Sequence, residues 1–194
     1  TVRAYDKPPQ ELSPEGMVLI RSVDRKLHEL KNPQSTLNLM EITETEINAY
    51  FEYHSSDLVI DGISDVRFSF LPGLIRGLAV VSFTDLRKTQ QENGKGLFSS
   101  LLLEMMQGKR KVEYSLILES DQGEARLKIE FIKVEGINLP PILVNFVVNR
   151  FLEKKYGFNL VDPILLPFRI RKVTAEFERL LLERDLVPLG PVAQ

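Results

Sequence analysis

The sequence predicts an α+β domain, and three observations carry that prediction. Apolar residues recur every three or four positions near the start of the chain, the helical period. In the middle they alternate, the period of a half-buried strand. Turn residues such as Pro72-Gly73 and Asp121-Gln122-Gly123 separate the alternating runs.

Residues 1 to 14 carry Pro8, Pro9 and Pro14 among polar side chains and read as an extended lead-in. From Met17 the positions Met17, Ile20, Val23, Leu27 and Leu30 mark one face of a helix that stops before Asn32-Pro33. A short strand from about Thr36 to Glu41 is expected next. It leads into ITETEINAYF, where Thr43 and Glu46 form a T-x-x-E capping box. Ile42 and Ile47 stand at the two positions of a hydrophobic staple around that cap. Glu44 and Glu46 also place negative charge at the positive end of the helix dipole. These glutamates therefore read first as structural.

Val66, Phe68 and Phe70 alternate up to Pro72-Gly73, and Leu78 to Leu86 has strand composition with imperfect alternation, so a hairpin is expected. Gln90 to Gly96 reads as a polar loop, followed by a short helix over LFSSLLLEMM. The clearest strand pair sets Val112, Tyr114, Leu116 and Leu118 against Ala125, Leu127, Ile129 and Phe131, with mostly polar neighbours between them. One face of that hairpin should be buried and the other wet. Pro140-Pro141 can open a helix, with Pro141 near its first position. That helix runs on through ILVNFVVNRFLEKKYG to about Gly157 and is apolar around most of its circumference. The tail FRIRKVTAEFERLLLERD reads as a strand or hairpin, with a helical alternative for its Glu-Arg-Leu-rich end.

A chain of 194 residues suits one domain here, since nothing marks an internal boundary, and a fold of this size buries roughly 70% of its unfolded surface. A net charge of -2 gives no general attraction to nucleic acid, and the basic runs lack interleaved aromatics for base stacking. With no cysteine, disulfides and thiolate chemistry are excluded without assigning a compartment. No apolar run reaches the roughly 18 residues of a membrane span. The chain begins at Thr1 rather than methionine, which points to a trimmed leader, anchor or tag.

Catalytic signatures are missing. The two histidines, His28 and His54, are far apart and no H-E-x-x-H, G-x-S-x-G, Walker or G-x-G-x-x-G spacing occurs. His54 beside Tyr50 and Tyr53 reads as a packing residue before a general base, and NGKG at Asn93 to Gly96 reads as a turn. No cofactor or metal is called for. Basic residues gather at Lys109-Arg110-Lys111, at Arg150 with Lys154-Lys155, and at Arg169, Arg171 and Lys172. Most suit solvated faces; if they converged they could meet anionic head groups, at about 1 kcal/mol each.

Two stretches add a resemblance. ITETEINAYF resembles a signature near the start of several bacterial extracytoplasmic families, some held by one N-terminal helix. GINLPPILVNFVVNRFLEKKYGFNLVDPILLPFRIRKVTAEFERLLL resembles their closing part, through Leu139-Pro140, Asn145, Pro167 and Ile170. Together they are similar to domains related to the tubular lipid-binding superfamily. That resemblance implies a strongly curved antiparallel sheet wrapping one or two long helices, a location outside the cytoplasm, no catalysis, and an acyl-chain or membrane-lipid ligand. On this expectation Leu139, Ile142, Phe146, Val147, Phe151, Leu165, Leu166 and Phe168 line an apolar groove, and Arg150, Arg169 and Arg171 meet the head group. The competing readings are that the same residues form plain core, that the domain binds an envelope protein, or that Glu44 and Glu46 serve an acid-base glycan hydrolase.

Overall fold

A computed structural model describes residues 13–55, 62–83, 107–141, 144 and 162–185. Within them the chain is α+β, with two helices and a strongly curled antiparallel sheet that forms a half-barrel. Helix α1, Pro14–Lys31, starts at the N-cap Ser13, whose hydroxyl accepts the Gly16 N–H at 3.1 Å. Its buried residues Ile20, Val23 and Leu30 belong to the stripe read from the sequence.

Strand β1, Leu39–Thr43, lies downstream of the expected Thr36 to Glu41. The difference has a local cause. The Ser35 N–H reaches back to the Asn32 carbonyl and the Ser35 hydroxyl accepts the Leu37 N–H, so a turn occupies the first positions assigned to the strand. At its other end β1 passes without a loop into helix α2, Glu44–Tyr53, whose N-cap is the strand's last residue, Thr43.

Strands β2 (Ile63–Leu71), β3 (Leu74–Ser82), β4 (Lys109–Asp121) and β5 (Glu124–Val134) follow as two hairpins. Two-residue strands β6 (Ile137–Asn138) and β7 (Ile164–Leu165) pair with opposite ends of β5. Together they make the curled sheet β2-β3-β4-β5-β6, with β7 beside it. The β4–β5 turn has Gln122 at φ 52° and Gly123 at φ 83°, the two left-handed residues a twisted two-residue hairpin requires. The tail settles as a third hairpin, β8 (Ile170–Glu176) and β9 (Arg179–Arg184), which joins β1 in a three-stranded sheet of order β1-β9-β8.

The small sheet is tied to the turn ends of the large one. Gly73 N–H donates to the Ala175 carbonyl at 2.9 Å, Gly123 N–H to the Arg171 carbonyl at 2.8 Å, and Glu178 N–H to the Phe70 carbonyl at 3.1 Å. Leu30, Met40, Ile42, Ile170 and Leu182 form one core cluster between α1 and the small sheet. Ala79, Val81, Phe83 and Val134 form a second on the curled sheet. Arg184, only 8% exposed, aims its guanidinium at the carbonyls of Glu29 and Asn32, so its charge sits at the negative end of the α1 dipole.

Register sorts the curled sheet into two chemically distinct faces. Directly opposed residues form the rows Phe70–Ile75–Leu116–Ile129, Phe68–Gly77–Tyr114–Ile132 and Ala79–Val112–Val134 on one face. The other face carries Arg67–Leu78–Glu113–Lys133 and Ser69–Arg76–Ser115–Phe131. A bulge corrects the sequence reading here. One extra residue, Glu130, lies between the pairs Ser115–Phe131 and Leu116–Ile129, so the β5 alternation holds through Ile129 and then shifts. Phe131 joins the polar face, and Ile132 and Val134 take the apolar one. Ser115, a polar neighbour in the alternating pattern, is fully buried at 0% exposure.

The expected loop and short helix over 90 to 106 lie outside the described residues. So does most of the helix expected from Pro141; of its residues, Pro141 and Val144 are helical, with Val144 N–H bonded to the Pro140 carbonyl at 3.1 Å.

Candidate functional site

In the acidic motif, Glu44, Glu46 and Asn48 are all engaged in hydrogen bonds. Thr43 and Glu46 close the capping box: the Thr43 hydroxyl accepts the Glu46 N–H at 3.3 Å and the Glu46 carboxylate accepts the Thr43 N–H at 2.8 Å. Ile42 is buried and Ile47 packs against the same cluster, as the staple requires. Glu46 does more than cap. Its carboxylate also accepts Lys26 Nζ at 2.6 and 2.7 Å and the Ser22 hydroxyl at 2.6 Å, joining α1 to α2. Burial alone would raise its pKa, but the bonds from Lys26, Ser22 and Thr43 and the Lys26 charge outweigh that and hold it below its ordinary 4.5.

Glu44 and Asn48 face the exposed margin of the sheet. Asn48 donates its amide to the Phe68 carbonyl at 2.8 Å and accepts the Phe68 N–H at 2.7 Å, while Glu44 accepts the Phe70 N–H at 2.9 Å. Phe51 meets Phe68 edge to face at 4.7 Å between centroids, and Arg67 pairs with Glu52 at 3.0 Å. One turn of α2 thereby satisfies the edge groups that β2 would otherwise offer to another strand. Replacing Asn48 by alanine orphans both Phe68 groups and should cost about 2 kcal/mol in urea unfolding, at roughly 1 kcal/mol for each hydrogen bond. Glu44 is thus held by a backbone N–H and Glu46 by the cap, Lys26 and Ser22.

The histidines are equally local. His28 lies in the last turn of α1, and His54 caps α2 with its ring 4.5 Å from Tyr50 and 4.8 Å from Tyr53. Among the described residues no group of three or more His, Asp or Glu side chains is placed to hold a metal ion. Among the same residues no helix is long and apolar enough to cross a membrane.

The predicted groove residues that are described fall in three places. Leu139 is half-buried against the core of the curled sheet, and its N–H donates to the Ile132 carbonyl at 2.8 Å. Leu166 packs instead on the cluster under α1. Leu165 and Phe168 are exposed, at 77% and 42%, beside β8. Phe168 and Arg169 both have left-handed backbone, at φ 58° and 60°, a pair of conformations that turns the chain sharply into β8. Ile142, Phe146, Val147 and Phe151, with Arg150, lie outside the described residues. Of the other head-group candidates, Arg169 is exposed, and Arg171 pairs with Glu183 at 2.8 Å, which raises its pKa.

Among the described residues, one continuous apolar surface is something the sequence pointed to only strand by strand: the face of β2–β5. Phe70, Ala79 and Val134 are buried in it, whereas Phe68, Ile75, Leu116, Ile129, Ile132 and Tyr114 are only half-buried. Tyr114 lies across Gly77, where an added Cβ would fall inside its ring, and burial pushes its phenol up to about 12. Alternation in the hairpins was the signal for this face; what alternation could not supply is the curl and the lateral order of strands that join the rows into one surface.

Comparison with protein-family models, with curated proteins and with solved structures finds no match.

Proposed function

We propose that this chain is a noncatalytic lipid-binding or lipid-handling domain that works outside the cytoplasm, with the apolar face of β2–β5 against the acyl chain. The observation that carries the reading is the row Ile75–Leu116–Ile129, flanked by Leu118 and Leu127. These five residues are apolar and half-open on a curled sheet. A half-barrel of this kind suits an elongated apolar guest, because the curvature surrounds a chain while leaving the ends open. Each acyl methylene buried there contributes roughly 0.8 kcal/mol, so ten supply about 8 kcal/mol before ordering costs, the scale of micromolar affinity. The exposed Leu165, Phe168 and Arg169 beside β8 support the same reading, as a surface that can approach a bilayer.

The test is native mass spectrometry of the gently extracted full chain, with displacement of a fluorescent fatty acid from delipidated protein. One bound acyl-chain lipid is expected, and Leu116→Gln should weaken uptake about tenfold, since it places an amide among methylenes. Lys128→Gln, on the polar face, should change nothing. Absence of lipid in both assays, or identical uptake by Leu116→Gln in a folded protein, would remove the proposal.

An envelope protein-binding module is the second reading, favoured by one feature of β5. Its outer side pairs with β7 at Glu124 and Ala125 and with β6 at Lys133 and Val134, leaving 126 to 131 without a strand partner there among the described residues. Hydrogen exchange separates the two readings, because strand addition protects the amides of 126 to 131 and lipid uptake does not.

A further inference from the structure

The polar face of the curled sheet carries a cavity whose chemistry differs from that of the apolar face. It is a cleft of about 490 Å³ whose lining includes Arg67, Arg76, Leu78, Glu113, Phe131 and Lys133 of this face, with Phe68, Gly77 and Tyr114 of the neighbouring row also in its wall. Three cations face one carboxylate in a chain whose net charge is -2. The carboxylate is already engaged, since Glu113 pairs with Lys111 at 3.5 Å, and Arg67 is held by Glu52 at 3.0 Å. Lys133 rests its ammonium 4.6 Å from the Phe131 ring centroid. Arg76 is exposed and has no acidic partner among the described residues.

The register explains why these groups meet. Arg67 stands opposite Leu78, two residues from Arg76, so the two arginines are diagonal cross-strand neighbours, a relation that brings side chains within roughly 8 Å on one face. Leu78, Glu113 and Lys133 continue the first row, while Ser115 and Phe131 continue the second. Like charges in such positions repel one another, and Arg76 makes no ion pair among the described residues, since Glu113, diagonal to it in the same way, is paired with Lys111. Ser115, between Arg76 and Phe131 in the row, is fully buried and its hydroxyl has no hydrogen-bond partner. A buried hydroxyl without a partner is unusual in a folded chain. The bulge at Glu130 is what brings Phe131 to this side and supplies the aromatic wall.

We propose that this cleft binds a phosphate group, with the Arg67 and Arg76 guanidiniums as forks, Lys133 as a point charge, and Leu78 and Phe131 against the organic remainder of the ligand. Planar guanidiniums match phosphate oxygens through paired N–H donors, and the ammonium adds charge without fixed direction. The phosphate can belong to a small soluble ester or to a lipid head group, and the site is independent of the acyl-chain reading because Arg67, Arg76 and Lys133 stand on the face opposite the row Ile75–Leu116–Ile129.

Calorimetry of the full chain with inorganic phosphate and with glycerol 3-phosphate tests the soluble source; flotation with phosphatidic acid vesicles tests the lipid source. Arg76→Gln should weaken binding about tenfold, the loss of a charged hydrogen-bonding pair, and Lys133→Gln should weaken it too. Arg21→Gln, an exposed cation on α1, should leave it unchanged, and so should Leu116→Gln on the apolar face. Arg76-dependent heat with the soluble probes assigns a soluble ester, and Arg76-dependent binding to vesicles alone assigns a head group. No binding to any probe overturns the proposal, as does binding that Arg76→Gln leaves intact or that Arg21→Gln weakens equally.

Discussion

Gly77→Ala should destabilise the protein by about 2 to 3 kcal/mol, the range of overpacked interiors. The sign is the informative part. In the middle of a strand, alanine is ordinarily favoured over glycine by roughly 0.5 to 1 kcal/mol, because glycine loses more backbone freedom on folding. Here the Cβ position falls within the ring of Tyr114, directly opposite in the register, so the added methyl must expel an aromatic side chain from the sheet. The ring in turn covers the glycine backbone, an arrangement in which each residue makes the other acceptable. Two measurements check it. Unfolding in urea gives the cost, and in the double mutant Gly77→Ala/Tyr114→Ala most of the glycine term should vanish, because the two sites share one volume. Ultraviolet titration gives the position of the phenol: it ionises at about 12 in the native protein and should fall toward its ordinary 10.0 once Gly77→Ala pushes the ring into water. An unchanged phenol together with unchanged stability would mean that the ring does not rest on Gly77.

That contact shows where sequence reading stops. Periodicity located the α1 stripe, because three-to-four spacing is a property of the helix itself, and the T-x-x-E box located the start of α2 to the residue. Strand alternation found the β4–β5 hairpin for the same reason, whereas the imperfect alternation of Leu78 to Leu86 placed the second strand of the first hairpin too late, since it runs over Leu74–Ser82. Relations between strands are another matter. Gly77 meets Tyr114 across thirty-odd positions of sequence, and nothing local to either announces the other. The bulge at Glu130 inverted the face of Phe131, since alternation assumes an unbroken ladder. Asn48 was recognisable as part of a motif, but its two bonds to Phe68 depend on where β2 passes α2. Arg184 reads as one more charge at the end of an amphipathic strand until the end of α1 is seen beside it. The half-barrel was implied by the resemblance, whereas both candidate faces arise from register.

The other large effect belongs to Glu46. It is 5% exposed and receives Lys26, Ser22 and the Thr43 N–H, so one carboxylate holds α1, the end of β1 and the start of α2 together. Glu46→Leu should cost about 3 kcal/mol at pH 7, the low end for breaking a buried pair, because Lys26 retains 22% exposure and can turn to water. Lys26→Met leaves the more deeply buried partner stranded, and the carboxyl should then take up a proton more readily than in the native protein. The pH dependence follows from the direction of the shift. The folded pKa lies below the unfolded value of 4.5, so the carboxylate's contribution is complete above 4.5 and is lost as pH falls through the folded pKa. Glu46→Gln removes that ionisation while keeping the shape, and its deficit relative to wild type should be greatest near neutrality and shrink on acidification. Urea midpoints of both proteins from pH 7 down to pH 3 measure it; a deficit that stays constant across that range would show that the ion pair contributes nothing and that Glu46 acts through its cap alone.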